Sequence, residues 1–294
     1  MKPAPFEYHA PTSVADAVAL LAEHTDEAKP LAGGQSLVPM LALRLTRFEH
    51  LIDLNRIGEL RGVTREDGTL TVKAMTSQRE VEHSPEVAAA VPLLARATPY
   101  IGHFQIRNRG TVGGNLAHAD PASELPAVAL ALDAEFEVAS ASGSRRVPAS
   151  EFFIGTWTTA LESEELLTAI HFPALGGAAW GDRSGFAVEE IARRSGDFAL
   201  AGAVCAVALD GSGNIARAGI GLFGMGATPE RARAAEESLV ARSPSADDLA
   251  EIGRLAVEGL APTDDIHASA AYRRRVGAYL VQRVLGRALE EARG

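Results

Sequence analysis

Two Gly-Gly pairs constrain this chain more than anything else in it. Ala32-Gly33-Gly34-Gln35-Ser36 and Thr111-Val112-Gly113-Gly114-Asn115 each run into an apolar stretch with helical spacing. Glycine allows φ > 0 and close approach to the backbone. A helix N-terminus presents unpaired N–H groups and the positive end of a dipole. Together they make a site for an anion. Neither loop contains Lys or Arg, so main-chain donors carry the charge. At roughly 1.5–3 kcal/mol per charge-assisted bond, four or five donors suffice. One such pair alone reads as a turn. Two, each opening a helix, read as opposite sides of one bound dinucleotide, with the pyrophosphate between them.

Side chains extend the reading. Ser36 and Thr111 offer hydroxyls, and Asn115 offers both a donor and an acceptor. Asp120 and Glu124 follow the second pair and would repel phosphate, so their binding role would be to accept from sugar or ribityl hydroxyls. The structural alternative is helix capping, because carboxylates are favourable near a helix start. Capping is preferred for Asp120; for Glu124 the two readings stand even.

The pattern along the chain predicts the scaffold. A strand over 6–8, a helix over 14–24 capped at Ser13, the first glycine loop, a helix over 36–45 and a strand over 50–54 form a small βαβ-like unit. Alternation over 63–65 and 70–75 about Asp67-Gly68 predicts a hairpin. Helices are expected over 77–83, 85–98 and 123–132, and strands over 136–139 and 165–172, with 146–147 across a Ser-Gly turn. Gly176 to Gly181 reads as a linker. Beyond it come three strands (186–191, 199–209, 215–223) and three helices (229–240, 246–260, 270–292), the first of these with Thr228 as N-cap and Pro229 at N1. Runs of strands followed by runs of helices give an α+β class. The expected domains are 1–175, with subdomains of about 1–55 and 56–175, and 176–294.

Several functions are excluded. A formal net charge of −10 argues against nucleic acid, and the clusters at Arg145, Arg193 and Arg273 are too short to reverse this. The one cysteine, Cys205, lies in an apolar run and can anchor neither an iron–sulfur cluster nor a zinc site within the chain. The eight histidines form no HxxxH or HExxH pair, so no metal site is predicted. No Walker A sequence or GxSxG elbow is present. Gly219-Ile-Gly221-Leu-Phe-Gly224 satisfies GxGxxG but continues a strand, so it is set aside as a dinucleotide fingerprint. No apolar run has the length of a membrane span and the N-terminus has no signal-peptide core, which predicts a cytoplasmic protein, docked peripherally at the inner membrane face only through a partner. A cofactor cradle without an acid–base set predicts electron transfer, the cofactor carrying the chemistry and no side chain being catalytic.

The order of AGGQSLVPMLALRL, AMTSQ, RNRGTVGGNLAHADPASELPA, EELLTAIHFP, ARRSGDFALAGAV and DIHASAAYRRRVGAYLVQRVL resembles the FAD-binding medium subunit of molybdenum hydroxylases, the xanthine dehydrogenase and aerobic carbon monoxide dehydrogenase family. The resemblance spans essentially the whole chain and is strongest to the carbon monoxide dehydrogenase type. It implies a two-subdomain FAD-binding domain of the vanillyl-alcohol-oxidase (PCMH) type, followed by a three-stranded antiparallel sheet with three helices. It implies non-covalent FAD with its pyrophosphate against Ala32–Ser36 and Thr111–Asn115, and cofactor contacts at Leu31, Ala32, Gly33, Gly34, Gln35, Ser36, Leu37, Thr111, Gly113, Gly114 and Asn115. Ile101 would pack near the isoalloxazine, Glu124 would meet the ribityl or sugar part, and the backbone of Leu167 would lie at the ring. It further implies a small subunit with two [2Fe–2S] clusters, a large subunit with the molybdenum cofactor, a dimer of such heterotrimers, and an external acceptor such as a quinone or NAD. Some relatives carry lysine where this chain has Val188-Glu189-Glu190-Ile191. A free-standing flavin oxidase would need a larger substrate domain and acid–base residues, and a flavin-free assembly protein would not need intact glycine loops.

Overall fold

A computed structural model describes residues 2–294. The first unit is a three-stranded parallel sheet in the order Glu7–His9, His50–Asp53, Ala28–Leu31. Helix Val14–His24 covers it, started by the Ser13 hydroxyl accepting from the Asp16 amide. Ala17, Val18 and Leu21 of the helix share a buried cluster with Ile52 and Leu54, the i, i+4 face its spacing predicts. Parallel pairing of Leu31 with Asp53 sets the carboxyl ends of two strands side by side. Ligands of parallel α/β units bind at such ends.

A five-stranded antiparallel sheet follows, in the order Val63–Glu66, Thr69–Lys73, Leu166–Pro173, Glu135–Ser140, Gly143–Pro148. Its first hairpin turns on Asp67 and Gly68, both with positive φ. Helix Glu124–Ala131 is buried along its whole length because it is sandwiched between this part of the chain and a second sheet.

That second sheet is antiparallel: Ser184–Ala192, Ala199–Leu209, Ile215–Phe223 and a two-residue edge, Glu230–Arg231. Ala201, Ala203, Cys205 and Val207 face helices Ala246–Ala256 and Ala270–Arg293, whereas Val204, Ala206 and Ala208 join the core around Glu124–Ala131. Period-two alternation with both faces apolar explains why the whole Ala199–Leu209 run is hydrophobic. The glycines of the next strand let the buried helix approach. A Cβ at Gly219 would lie 2.0 Å from the Ala131 carbonyl oxygen, and one at Gly221 2.5 Å from that of Ala127. The GxGxxG run is therefore a packing surface. Among the described residues no helix is long and apolar enough to cross a membrane.

Several expected elements differ. The helix over 85–98 breaks into Pro85–Ala90 and Pro92–Ala97, because Pro92 lacks an N–H and forces Val91 out of the helical region. The helix expected from Pro229 starts at Arg233, since Glu230–Arg231 pairs with Gly221–Leu222 and makes the sheet four-stranded. The segment read as a linker is packed: Trp180 is 1% exposed, and the Gly176 amide donates to its carbonyl. Val112–His118 forms a helix of its own, so the second glycine pair lies within a first turn.

Candidate functional site

The carboxyl ends of Ala28–Leu31 and His50–Asp53 open onto a cavity of about 390 Å3 lined by Leu31, Ala32, Gly33, Gly34, Gln35, Val38, Pro39, Asp53, Asn55 and Arg109. Gly34 has φ +72°, which turns the chain into helix Leu37–Leu43. Ser36 precedes that helix without capping it. The amides of Gly33, Gly34, Gln35, Ser36 and Leu37 find no acceptor among the described residues. Five consecutive free donors at a glycine turn form an anion nest.

The second pair plays a different part. The Val112 amide donates to the Thr76 carbonyl at 3.0 Å and the Gly113 amide to that of Ala74 at 2.8 Å. The Gly114 amide donates to Thr111 Oγ1 at 3.1 Å, and the Asn115 amide to the Thr111 carbonyl at 3.1 Å. The expectation that amides of both loops stand free is thus corrected, because this loop is the capped first turn of a helix. What it keeps is side-chain capacity: the Thr111 O–H can still donate, and so can the Asn115 amide nitrogen, whose oxygen accepts from Ser123 at 2.9 Å. The two loops nevertheless touch. A Cβ on Gly33 would sit 2.2 Å from the Arg109 carbonyl oxygen, and one on Gly114 3.1 Å from Ala32 Cβ.

Asp53 and Asn55 lie outside the glycine motifs, and Arg109 stands two residues before Thr111, so none of the three is singled out by the Gly-Gly pairs themselves. Strand register brings Asp53 and Asn55 beside Ala32, where the Asn55 amide group donates to the Ala32 carbonyl at 3.0 Å. The signal that finds them is the βαβ pattern itself, with its rule about carboxyl ends. Burial raises the Asp53 pKa, but hydrogen bonds from the Tyr8 hydroxyl and from Asn55 outweigh it and hold the carboxyl below its usual range. A carboxylate here meets hydroxyls and repels phosphate, while Arg109 adds the cation the loops themselves lack.

The remaining predicted residues lie outside the cavity lining. Glu124 is 6% exposed, and burial, then the nearby Glu190, pushes its pKa up to about 8. Burial pushes Glu190 to about 7, and its Oε2 has no partner among the described residues. Burial thus favours the protonated form of Glu124, which can both donate and accept. Asp120 accepts from the Ala122 amide and from the Trp157 indole, which makes it a turn former. Ile101 and Leu167 belong to the buried core. Arg107, paired with Glu82 at 2.7 Å, donates to the Ile101 and Gly102 carbonyls and fixes that turn. Leu167 adjoins a β-bulge at Thr168, a device that re-aims backbone next to active sites. Cys205 is fully buried, and burial pushes its thiol well up, which makes it inert.

A row of free amides beside an arginine and a carboxylate, at the carboxyl ends of parallel strands, has the chemistry of a nucleotide-phosphate site. Residues 4–175 match the model of the FAD binding domain in molybdopterin dehydrogenase, and residues 186–288 that of the CO dehydrogenase flavoprotein C-terminal domain. The chain is 41% identical to the 6-hydroxypseudooxynicotine dehydrogenase complex subunit alpha of Paenarthrobacter nicotinovorans, over 100% of this chain and 97% of that one. It is 40% identical to the carbon monoxide dehydrogenase medium chain of Hydrogenophaga pseudoflava, over 98% of each. A solved carbon monoxide dehydrogenase structure from Hydrogenophaga pseudoflava superposes with a TM-score of 0.95 at 40% identity, covering 99% of both chains. The chain belongs to the FAD-binding medium subunits of the molybdenum hydroxylases, which work within multi-subunit oxidoreductases.

Proposed function

We propose that this chain holds FAD non-covalently as the electron relay of a heterotrimeric molybdenum hydroxylase. A small subunit carries the two [2Fe–2S] clusters and a large subunit the molybdenum cofactor; two trimers associate, and an external acceptor such as a quinone or NAD takes the electrons. The pyrophosphate rests on the amides of Gly33 to Leu37 beside Arg109, with the Thr111 hydroxyl and Asn115 amide on the opposite side. Asp53 and Glu124 take sugar or ribityl hydroxyls, and Ile101 with the Leu167 backbone flank the ring. FAD, when bound, supplies the redox chemistry; the protein orients it and excludes water. Residues 1–175 form the flavin domain and 176–294 the C-terminal domain. The complex works in the cytoplasm, docked at the membrane through a partner where it docks at all.

The carrying observation is the row of five amides without acceptors. Carbon monoxide is our first assignment for the substrate oxidised on the large subunit. A second reading, an N-heterocycle, rests on the equal likeness to the 6-hydroxypseudooxynicotine enzyme; an aldehyde is the third. The complex purified from its native host should contain FAD, iron and molybdenum. Assays of dye reduction with carbon monoxide, with an N-heterocycle and with an aldehyde then choose among the three. A colourless chain that takes up no FAD and co-purifies with no metal-containing subunit overturns the assignment.

A further inference from the structure

Motif spacing predicts no metal site in this chain, yet folding gathers three of its histidines. His9 ends the first strand, His24 ends helix Val14–His24, and His50 begins the central strand. The sheet pairs Glu7 with His50 and His9 with Ile52. Side chains two apart on a strand share a face, so Glu7, His9, His50 and Ile52 all point to the side that the helix covers. His24 comes down over the same spot.

The geometry is close to that of a coordination sphere. His9 Nε2 and His50 Nδ1 share a hydrogen bond at 3.1 Å, which a bound metal would replace with two coordination bonds. Two nitrogens bound tetrahedrally to a metal at about 2.0–2.1 Å stand roughly 3.3 Å apart. The third nitrogen completes a group whose ligand atoms all lie within 4.8 Å of one another. The His24 ring stacks on His50 with centroids 3.7 Å apart. A metal lies in the plane of each ring it binds, so coordination requires His24 to tilt out of that stack. All three residues are only partly buried, which leaves the rings room to turn and a path for an ion. Glu7 Oε2 lies 3.7 Å from His50 Nδ1 but outside the group of mutually close ligand atoms, so it reaches a fourth position only by swinging its exposed side chain inward. His24 is also the last residue of an 11-residue helix, and the C-terminal end of a helix dipole favours a cation.

We propose that His9, His24 and His50 bind one divalent transition-metal ion, zinc being the fitting choice, with Glu7 or water in the fourth position. Three imidazoles and an oxygen suit zinc, copper or nickel and exclude magnesium or calcium as the preferred ion. The ion clips the first strand and the helix end to the central strand. It lies at the end where His50–Asp53 begins, whereas the flavin cavity lies where that strand finishes, so the proposal stands apart from the flavin assignment.

The test uses the full-length, flavin-loaded chain without a histidine tag, stripped with EDTA and desalted. Zinc titration by calorimetry should give one ion per chain. Cobalt substitution should give tetrahedral ligand-field bands at wavelengths beyond the flavin absorption. His9→Ala, His24→Ala and His50→Ala should each weaken zinc binding by more than the roughly 100-fold that loss of a metal's outer-shell partner causes, with flavin content unchanged. His267→Ala, at an exposed histidine far along the chain, should bind as the parent does. Should His50→Ala misfold, the other two variants carry the test, because His9 and His24 end an edge strand and a helix whereas His50 begins the central strand. No stoichiometric zinc in the parent, or binding that survives loss of any one of the three, overturns the proposal.

Discussion

Gly33→Ala is the sharpest probe of the flavin site. Gly33 has an ordinary φ, so alanine there is free of left-handed strain. The obstacle is steric and lies in rigid backbone: the new Cβ would stand 2.2 Å from the Arg109 carbonyl oxygen and 2.8 Å from Gly110 Cα. Restoring van der Waals separation moves one loop by roughly 1 Å. The second loop resists, because its amides are already bonded to Ala74, Thr76 and Thr111. The first loop therefore yields, and its donors lose their common aim. Loss of two of the five charge-assisted bonds, at about 1.5–3 kcal/mol each, weakens FAD binding by about 3–6 kcal/mol, or roughly 150- to 20,000-fold. Gly34→Ala offers a contrast. Its φ of +72° costs about 1–2 kcal/mol, but its Cβ would meet only side-chain atoms, Val38 Cγ2 at 3.1 Å and Leu31 Cδ1 at 3.4 Å. It should bind FAD more weakly than the parent and far more tightly than Gly33→Ala. The assay is flavin content on purification, with FAD affinity of the stripped chain by fluorescence quenching and a melt to verify folding. Equal affinities for Gly33→Ala and the parent, or a larger loss at Gly34, would refute the account.

Three further outcomes are expected. Glu124 has a folded-state pKa of about 8 against 4.5 unfolded, so the native state holds a proton the unfolded chain has released. Stability of the flavin-free protein should fall as pH rises from about 4.5 to 8, by up to about 1.4 kcal/mol per pH unit from this group; melts of Glu124→Gln should have a shallower slope, and an unchanged slope counts against a buried neutral acid. Gly219→Ala drives a Cβ into the Ala131 carbonyl and should cost about 1–3 kcal/mol in urea unfolding, while the folded fraction keeps its flavin; selective loss of flavin would revive the GxGxxG reading. Arg231 is 90% buried at its side chain and bonds Asp133, Glu236 and the Leu130 carbonyl. Its replacement by alanine should cost about 3–5 kcal/mol, and a cost near zero would mean that those carboxylates find water instead.

Local signals were sufficient where the chain decides locally. Helix Val14–His24 follows from its apolar spacing and Ser13, and the hairpin from Asp67-Gly68. They fell short where tertiary contacts prevail. Val112–His118 carries two glycines, each costing about 1 kcal/mol in a helix, and is nonetheless helical, because Thr111 caps it and Ala74 and Thr76 accept its first amides. The Pro229 start looked sound by capping rules, yet the pull of Arg231 towards Asp133 and Glu236 ties that stretch to the sheet edge. Asp53, Asn55 and Arg109 reach the cavity through strand register and loop contact, and His9 and His50 meet through the pairing of the first strand with the central one, where the helix end brings His24; linear spacing marks neither grouping.

Three glycine-rich segments of similar appearance thus do three different jobs, and composition cannot separate them. Gly33 and Gly34 are glycines because a carbonyl presses on one and the other takes positive φ, leaving a row of donors with nothing to bond. Gly113 is glycine because Ala74 lies where its Cβ would be, and its amide is already taken. Gly219 and Gly221 are glycines because a buried helix rests on them. What separates a binding loop from a packing loop is the fate of its N–H groups. An amide bonded within the protein must give up that bond to meet a ligand, whereas one with no protein acceptor has only water to exchange and keeps the net gain of a charge-assisted bond. By that criterion the proposed site should draw most of its affinity for FAD from the first loop, and substitutions in the second should act through the aim of those donors.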